Sequence, residues 1–479
     1  MKNQAVLAWL CLCLVWISLP ASEGIAKEPV DPLVSIVSLD ENGNPWRQGM
    51  GILVSKDGSI LTSASIMTNC RSAVAKSSDN TLHVIRKITH WDSLQDLALL
   101  QIEPGDSKIS SVELAPKFHP PEKVRVGVRE KAGVGLREAE LTKAFAFSPR
   151  LVLLKLEPGN PTAEPGSPIL NRRNELLGML HAFAGDQKKS QAYRFYLVRD
   201  RDHTPFGKDL KREELKWPDE PLRAPGPSRV QAFWEGVGSS LREDWKEAQE
   251  KFSEALAGPE GLAEAYYGRG VARYHLGDWD GAVKDLEAAT RRLSGYALAL
   301  LWIGKTRERQ GKREAAKHDY EQAVALTPAL SEAWLRLGEL SYKSGDLGKA
   351  KECLERAKGD PSQGAQSWWY LGNIALQENR TEGALEAFRQ AIKLEPGFFQ
   401  AYLDGGRLLL EDLGQPKDAV VLLREAVRLN PGQGMPRYYL ARAHLVSWNP
   451  AGAWEQYFIL RDMSPDLAAS LAIALERSH

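Results

Sequence analysis

Residues 331–357 read SEAWLRLGELSYKSGDLGKAKECLERA, and this stretch decides the architecture of more than half of the chain. Within it the tiny residue Gly338 is followed twelve places on by Ala350, then by Leu354 and Ala357. The pattern recurs in both directions. Small residues stand at Gly236, Gly270, Gly304, Gly338, Gly372, Gly406 and Ala441, with Ala248, Ala282, Ala316, Ala350, Ala384, Ala419 and Ala453 after them. Phe252, Leu286, Tyr320, Leu354, Phe388, Leu423 and Tyr457 come four positions later. The step is 34 residues in five cases of six and 35 where one extra residue enters the sixth unit. Two antiparallel helices approach closely only where one side chain is tiny, and the large apolar residue fills the space shared with the next hairpin. Asp466 to Arg477, with Leu467, Leu471 and Leu475 at helical spacing, reads as a final helix covering the end of the stack.

This period and pattern resemble the tetratricopeptide repeat (TPR) family over residues 229–479, as seven units with a C-terminal capping helix. The resemblance implies an all-α superhelix whose concave surface is lined by the first helix of each hairpin, at positions three before, one after and four after the small residue. Those positions give Tyr267, Val271 and Tyr274, then Leu301, Lys305 and Glu308, then Leu335, Glu339 and Tyr342. Trp369, Asn373 and Leu376 follow, and then Leu403, Arg407 and Leu410. The groove so expected is centred on Tyr267, Val271, Tyr274, Lys305, Glu308, Tyr342, Trp369, Asn373 and Arg407. It is mostly aromatic and aliphatic, with scattered charges of both signs, and suits an apolar-rich peptide or partner helix. Packing of several of these side chains against neighbouring helices is the competing expectation.

The rest of the chain has a different period. Between Leu33 and Val198 short apolar runs such as Ile52–Val54, Ile60–Thr62 and Val124–Val128 are separated by turn sequences such as Asp57-Gly58 and Pro104-Gly105. That punctuation indicates an all-β barrel or sandwich over 30–202. Pro205, Pro218, Pro221, Pro225 and Pro227 then mark 203–228 as an extended linker, part of which is free to pack on a domain. At the start, Lys2, the apolar run Ala5–Leu19 and the small residues after it describe a signal peptide over 1–26, too short to span a bilayer. An exported protein, periplasmic or secreted, is expected, with no membrane span after cleavage. Removal of that segment leaves Cys70 and Cys353, read as isolated buried hydrophobes.

Lys plus Arg and Asp plus Glu each total 62, and no run of like charges stands out, so no nucleic-acid partner is expected. No glycine-rich phosphate loop, Cys-x-x-Cys or His-Glu-x-x-His pattern is present, and neither a cofactor nor a metal is expected.

The β-rich half carries a second resemblance. Gly49-Met50-Gly51-Ile52-Leu53-Val54 with Asp57-Gly58-Ser59-Ile60-Leu61-Thr62, the stretch Asp96 to Ile102, and Gly166-Ser167-Pro168-Ile169-Leu170-Asn171 are similar to segments of HtrA-type trypsin-like serine proteases. The resemblance implies a trypsin-like double barrel. It also places the family's catalytic positions at Ser65, Asp96 and Pro165. Only Asp96 keeps its family identity. A serine in the histidine's place is no base at neutral pH, and proline supplies neither a nucleophile nor an oxyanion-hole N–H. Ala163 stands where the family's other donor is a glycine. Rescue requires Ser167 as a shifted nucleophile with His83, His90 or His181 as base, and none of these reaches the imidazole's place without refolding a strand. The sequence thus leads to a multidomain protein. It combines a catalytically inactive trypsin-like domain, with a cleft able to hold an extended peptide, and a TPR array that binds a protein or peptide. An active serine endopeptidase with a non-standard site is the alternative.

Overall fold

The computed structural model describes residues 32–40, 42, 44–68, 70–78, 81–92, 97–102, 110–113, 122–130, 133–146, 152–157, 166–180, 195–197, 215–216, 227–258 and 261–476. The expected signal segment and most of the expected linker lie outside them. Two compact units divide the chain, Met1–Leu298 and Ala299–His479.

The first unit opens with strands built on alternating burial. β1 (Leu33–Leu39) lies between β2 (Pro45–Leu53) and β4 (Ser72–Ser77), antiparallel to both. With β3 (Ser59–Ser63), β5 (Leu82–Asp92), β6 (Leu97–Ile102) and β13 (Leu215–Lys216) they form a seven-stranded sheet in the order β13-β5-β4-β1-β2-β3-β6. A further β5–β6 pairing joins six of these strands into a ring around Val34, Ile36, Ile60, Ala75, Ile85, Ile88 and Leu100. A second, closed barrel has the order β10-β11-β12-β9-β8-β7, from β7 (Glu122–Glu130), β8 (Gly133–Ala146), β9 (Val152–Glu157), β10 (Pro168–Leu170), β11 (Leu176–Leu180) and β12 (Phe195–Leu197). β13 falls inside the stretch read as linker and pairs Leu215 with Ile88 and Lys216 with Lys87. It lies between Pro205 and Pro218, so its own N–H groups are available to the ladder.

Helical hairpins follow in the same unit: α1 (Pro227–Leu241) with α2 (Trp245–Ala255), and α3 (Ala263–Leu276) with α4 (Trp279–Arg292). The second unit continues with α5 (Ala297–Arg309), α6 (Arg313–Leu326), α7 (Ser331–Lys343), α8 (Leu347–Ala357), α9 (Gly364–Gln377) and α10 (Thr381–Leu394). It ends with α11 (Phe399–Glu411), α12 (Pro416–Leu429), α13 (Gly434–Val446), α14 (Pro450–Met463) and the terminal α15 (Pro465–Glu476). Each element has a local cause. A Cβ on Gly338 would stand 2.8 Å from Leu354 Cγ and 3.3 Å from the Ala350 carbonyl oxygen, so the α7–α8 crossing admits nothing larger. Asp244, Asp278, Asp346 and Asn449 cap α2, α4, α8 and α14, their side chains accepting from backbone N–H groups of the first turn. The turn inside every hairpin places one residue in the left-handed region. These residues are Glu243, Gly277, Gly311, Gly345, Asn379, Gly414 and Trp448. Among the described residues no helix is long and apolar enough to cross a membrane.

Candidate functional site

In the β-rich half, Ser65 lies on a 3-10 turn, Ala64–Met67, directly after β3. Its hydroxyl oxygen is 2.6 Å from that of Ser63, and its carbonyl accepts a 2.6 Å bond from Arg47 Nη1. Asp96 and Pro165 lie outside the described residues. Gly166 takes a φ of +78°, and a Cβ there would sit 2.1 Å from the Met50 carbonyl oxygen, so this loop needs glycine. The neighbouring Ser167 is fully buried, its hydroxyl donating to Met50 Sδ at 3.3 Å. His83 on β5 has Nε2 3.2 Å from the Ser77 hydroxyl, while the side chain of His90 and all of His181 lie outside the described residues.

In the first unit's helices, Tyr267 is buried on α3 with its ring 5.0 Å from that of Tyr296. It packs inside the stack rather than facing a ligand. Val271 and Tyr274, one and two turns further along α3, are half-buried, and Tyr274 meets His275 edge-on.

In the second unit the expected positions come from α5, α7, α9 and α11. Leu301, Leu335, Glu339 and Leu410 are buried. The others form a half-buried surface tied together between helices. Lys305 Nζ is 3.0 Å from Glu332 of α7 and 3.7 Å from the centroid of the Trp302 ring. Glu308 accepts a short hydrogen bond from the Tyr320 hydroxyl of α6. Tyr342 stands 5.3 Å from Tyr370, and its hydroxyl accepts from Gln377 Nε2 at 2.9 Å. Trp369 donates from Nε1 to Asp404 Oδ2 at 2.7 Å, with its ring against Tyr370 and Phe398. Asn373 donates from Nδ2 to the Trp369 carbonyl at 2.9 Å. Arg407 keeps its side chain 40% exposed, 3.7 Å from Asp404.

The electrostatics of this surface differ between its half-buried Asp404 and its buried Glu339. Burial pushes the Asp404 carboxyl up from its ordinary value, against the opposing pull of the Trp369 N–H and the Arg407 charge. Burial would raise Glu339 as well, but a hydrogen bond from Lys343 at 2.7 Å and the Arg336 charge hold it below the usual range. Asp404, Tyr370, Arg336 and Trp302 were missed by the three-position register, yet their signal was present. Each stands two residues before the small residue of its unit. These four fix the orientation of the side chains the register did select. The assembly brings together aromatic faces, the half-exposed Arg407 guanidinium and charges paired within the surface.

A depression of about 310 Å³ elsewhere in the second unit is lined by Val324, Trp334, Leu337, Cys353 and the Glu321–Lys349 pair. Burial pushes the Cys353 thiol up to about 11, so it is protonated at neutral pH and no nucleophile. Cys70 is likewise buried and free, its thiol also near 11 through burial.

Residues 242–297 and 303–365 match one tetratricopeptide repeat family and residues 365–398 another. The helical half therefore carries tetratricopeptide repeats. No curated protein matches the chain. Among solved structures it is similar to the C-terminal part of a TPR repeat-containing protein from Cytophaga hutchinsonii, at 19% identity over 50% of this chain and 98% of that one, TM-score 0.41. YrrB, described as a TPR protein with an unusual peptide-binding site, matches at 19% identity over 39% of this chain and 96% of its own, TM-score 0.33. A serine endoprotease from Yersinia pestis matches at 15% identity over 35% of this chain and 59% of its own, TM-score 0.30.

Proposed function

We propose that this chain, whose helical half is an array of tetratricopeptide repeats, is an exported scaffold that binds a protein or peptide and cleaves nothing. The observation that carries the reading is the surface on α7, α9 and α11. There Trp369 is held by Asp404 and Tyr342 by Gln377 before any ligand arrives. Aromatic side chains already fixed in one orientation lose little freedom on binding, so more of their contact energy appears as affinity. The half-exposed Arg407 beside them supplies a polar contact to a peptide carbonyl or carboxylate.

The β-rich half we read as an inactive trypsin-like double barrel. Its two sheets, each joined to itself by strand pairing, support that reading, as do the serine at position 65 and the burial of Ser167. Its cleft would hold an extended peptide without turning it over. Export is supported by the apolar run Ala5–Leu19. The rival reading, an active serine endopeptidase of non-standard site with TPR-mediated substrate recruitment, requires Ser167 to reach a carbonyl from its buried position. The two are separated by treating the purified full chain with a fluorophosphonate probe and with unfolded casein. Neither labelling nor cleavage is expected. Labelling that disappears in Ser167→Ala would establish the endopeptidase instead.

A further inference from the structure

The last hairpin differs from the other six at two adjacent positions of its second helix. Five positions after the small residue of each second helix, the first six units carry Ser253, Glu287, Glu321, Glu355, Arg389 and Arg424, and one further on Glu254, Ala288, Gln322, Arg356, Gln390 and Glu425. In α14 these two positions are Phe458 and Ile459, exposed by 52% and 37%. Met463 on the same helix and Ile473 on α15 are exposed as well. Trp448, at the entrance to α14, is 92% exposed and holds a φ of +58°. Among the seven hairpins this one alone carries large apolar side chains at both positions, and their exposure marks a contact surface.

The charges around the stripe identify what it fits. Glu455 and Asp462 lie one helical turn before and after Phe458, on the same exposed side. Residues 450–477 hold Glu455, Asp462, Asp466 and Glu476 against Arg461 and Arg477, and Arg461 is engaged with Asp462 at 3.2 Å and with the Phe458 ring at 5.7 Å. We propose that this face of α14, with α15, is a docking site for a basic amphipathic helix that lays an apolar stripe over Phe458 and Ile459 and its lysines or arginines against Glu455 and Asp462. A second copy laid antiparallel over the same stripe would set Glu455 against the other copy's Asp462, a like-charge contact. An anionic lipid surface meets the same repulsion.

The test uses the full chain and a synthetic amphipathic helix of leucine and lysine, with its leucine–glutamate counterpart, followed by fluorescence anisotropy. The lysine peptide should bind at least about tenfold more tightly than the glutamate peptide. Phe458→Arg with Ile459→Glu installs the residues the preceding unit carries at Arg424 and Glu425, so folding should survive, as judged by circular dichroism. Binding should fall at least about tenfold in that variant. Glu455→Lys with Asp462→Lys should reverse the preference toward the glutamate peptide. Unchanged binding in the first variant, or an unreversed preference in the second, overturns the proposal. So does sedimentation showing a dimer of the full chain, or binding to phosphatidylcholine–phosphatidylglycerol vesicles, that the first variant abolishes.

Discussion

Trp448 shows how much a single position discloses once the repeat supplies its reference. Five residues before the small residue of every second helix, the chain turns through the left-handed region, and glycine or asparagine occupies that point in five of seven hairpins. A bulky side chain there costs about 1–2 kcal/mol relative to a residue indifferent to the sign of φ. Trp448 is almost wholly exposed and recovers little by burial. Trp448→Gly should therefore raise the stability of the chain by about 1 kcal/mol in urea unfolding, after the greater entropy of glycine in the unfolded state is subtracted. A decrease would show that the indole packs in solution. The anomaly was open to sequence reading, but the register that revealed the repeat followed small and apolar positions and passed over turns. Tyr267 illustrates the opposite failure. Its spacing placed it on a ligand face, and Tyr296 from the loop after α4 covers it, a tertiary contact that spacing alone does not encode.

At the scale of paired helices, one interior contact position is solved differently in successive hairpins. In the second to sixth hairpins, three residues after the small residues stand Arg273 and Asp285, then Arg307 and Asp319, Ser341 and Cys353, Ala375 and Ala387, and Leu409 and Leu422. The two ion pairs are short, 2.9 Å for Arg273–Asp285 and 2.6 Å for Arg307–Asp319. Asp319 is buried, so Arg307→Ala removes a 2.6 Å guanidinium contact to a buried carboxylate. The cost should be about 2–3 kcal/mol, below that of a fully buried pair because Arg307 keeps 24% exposure. Replacing both partners by leucine, as the chain itself does at Leu409 and Leu422, should restore wild-type stability or exceed it. Denaturant midpoints of the single and double variants decide this, and a double variant no better than the single one would contradict it. The hairpins were legible because their small and large residues are coupled over seven units. The strands were less so. β8, with the sequence GVGLREAELTKAFA, and β5, with LHVIRKITHWD, alternate charge with apolar residues and offer no continuous apolar run. Their place is fixed by cross-strand pairing with the strands on either side in the chain, β7 and β9 for β8, β4 and β6 for β5, a contact that the pattern within one strand does not display.

For the whole molecule, the proposed role is recognition without turnover, to which sequence and structure contribute unequally. The repeat architecture and the departure of Ser65 and Pro165 from the protease pattern were readable from residues alone. The side-chain ties that prepare the helical surface were not, because Trp369 to Asp404 and Tyr342 to Gln377 each join residues 35 apart through the packing of successive first helices. The measurement that bears most directly on the claim is an isothermal titration of the full chain with a peptide selected by display against it, repeated on Trp369→Ala. With the helical circular dichroism spectrum unchanged, the variant should lose about 1–2 kcal/mol of binding free energy, roughly 5- to 30-fold in affinity. Equal affinity in the two proteins would contradict the account and move the binding site off this surface, to the β-rich half.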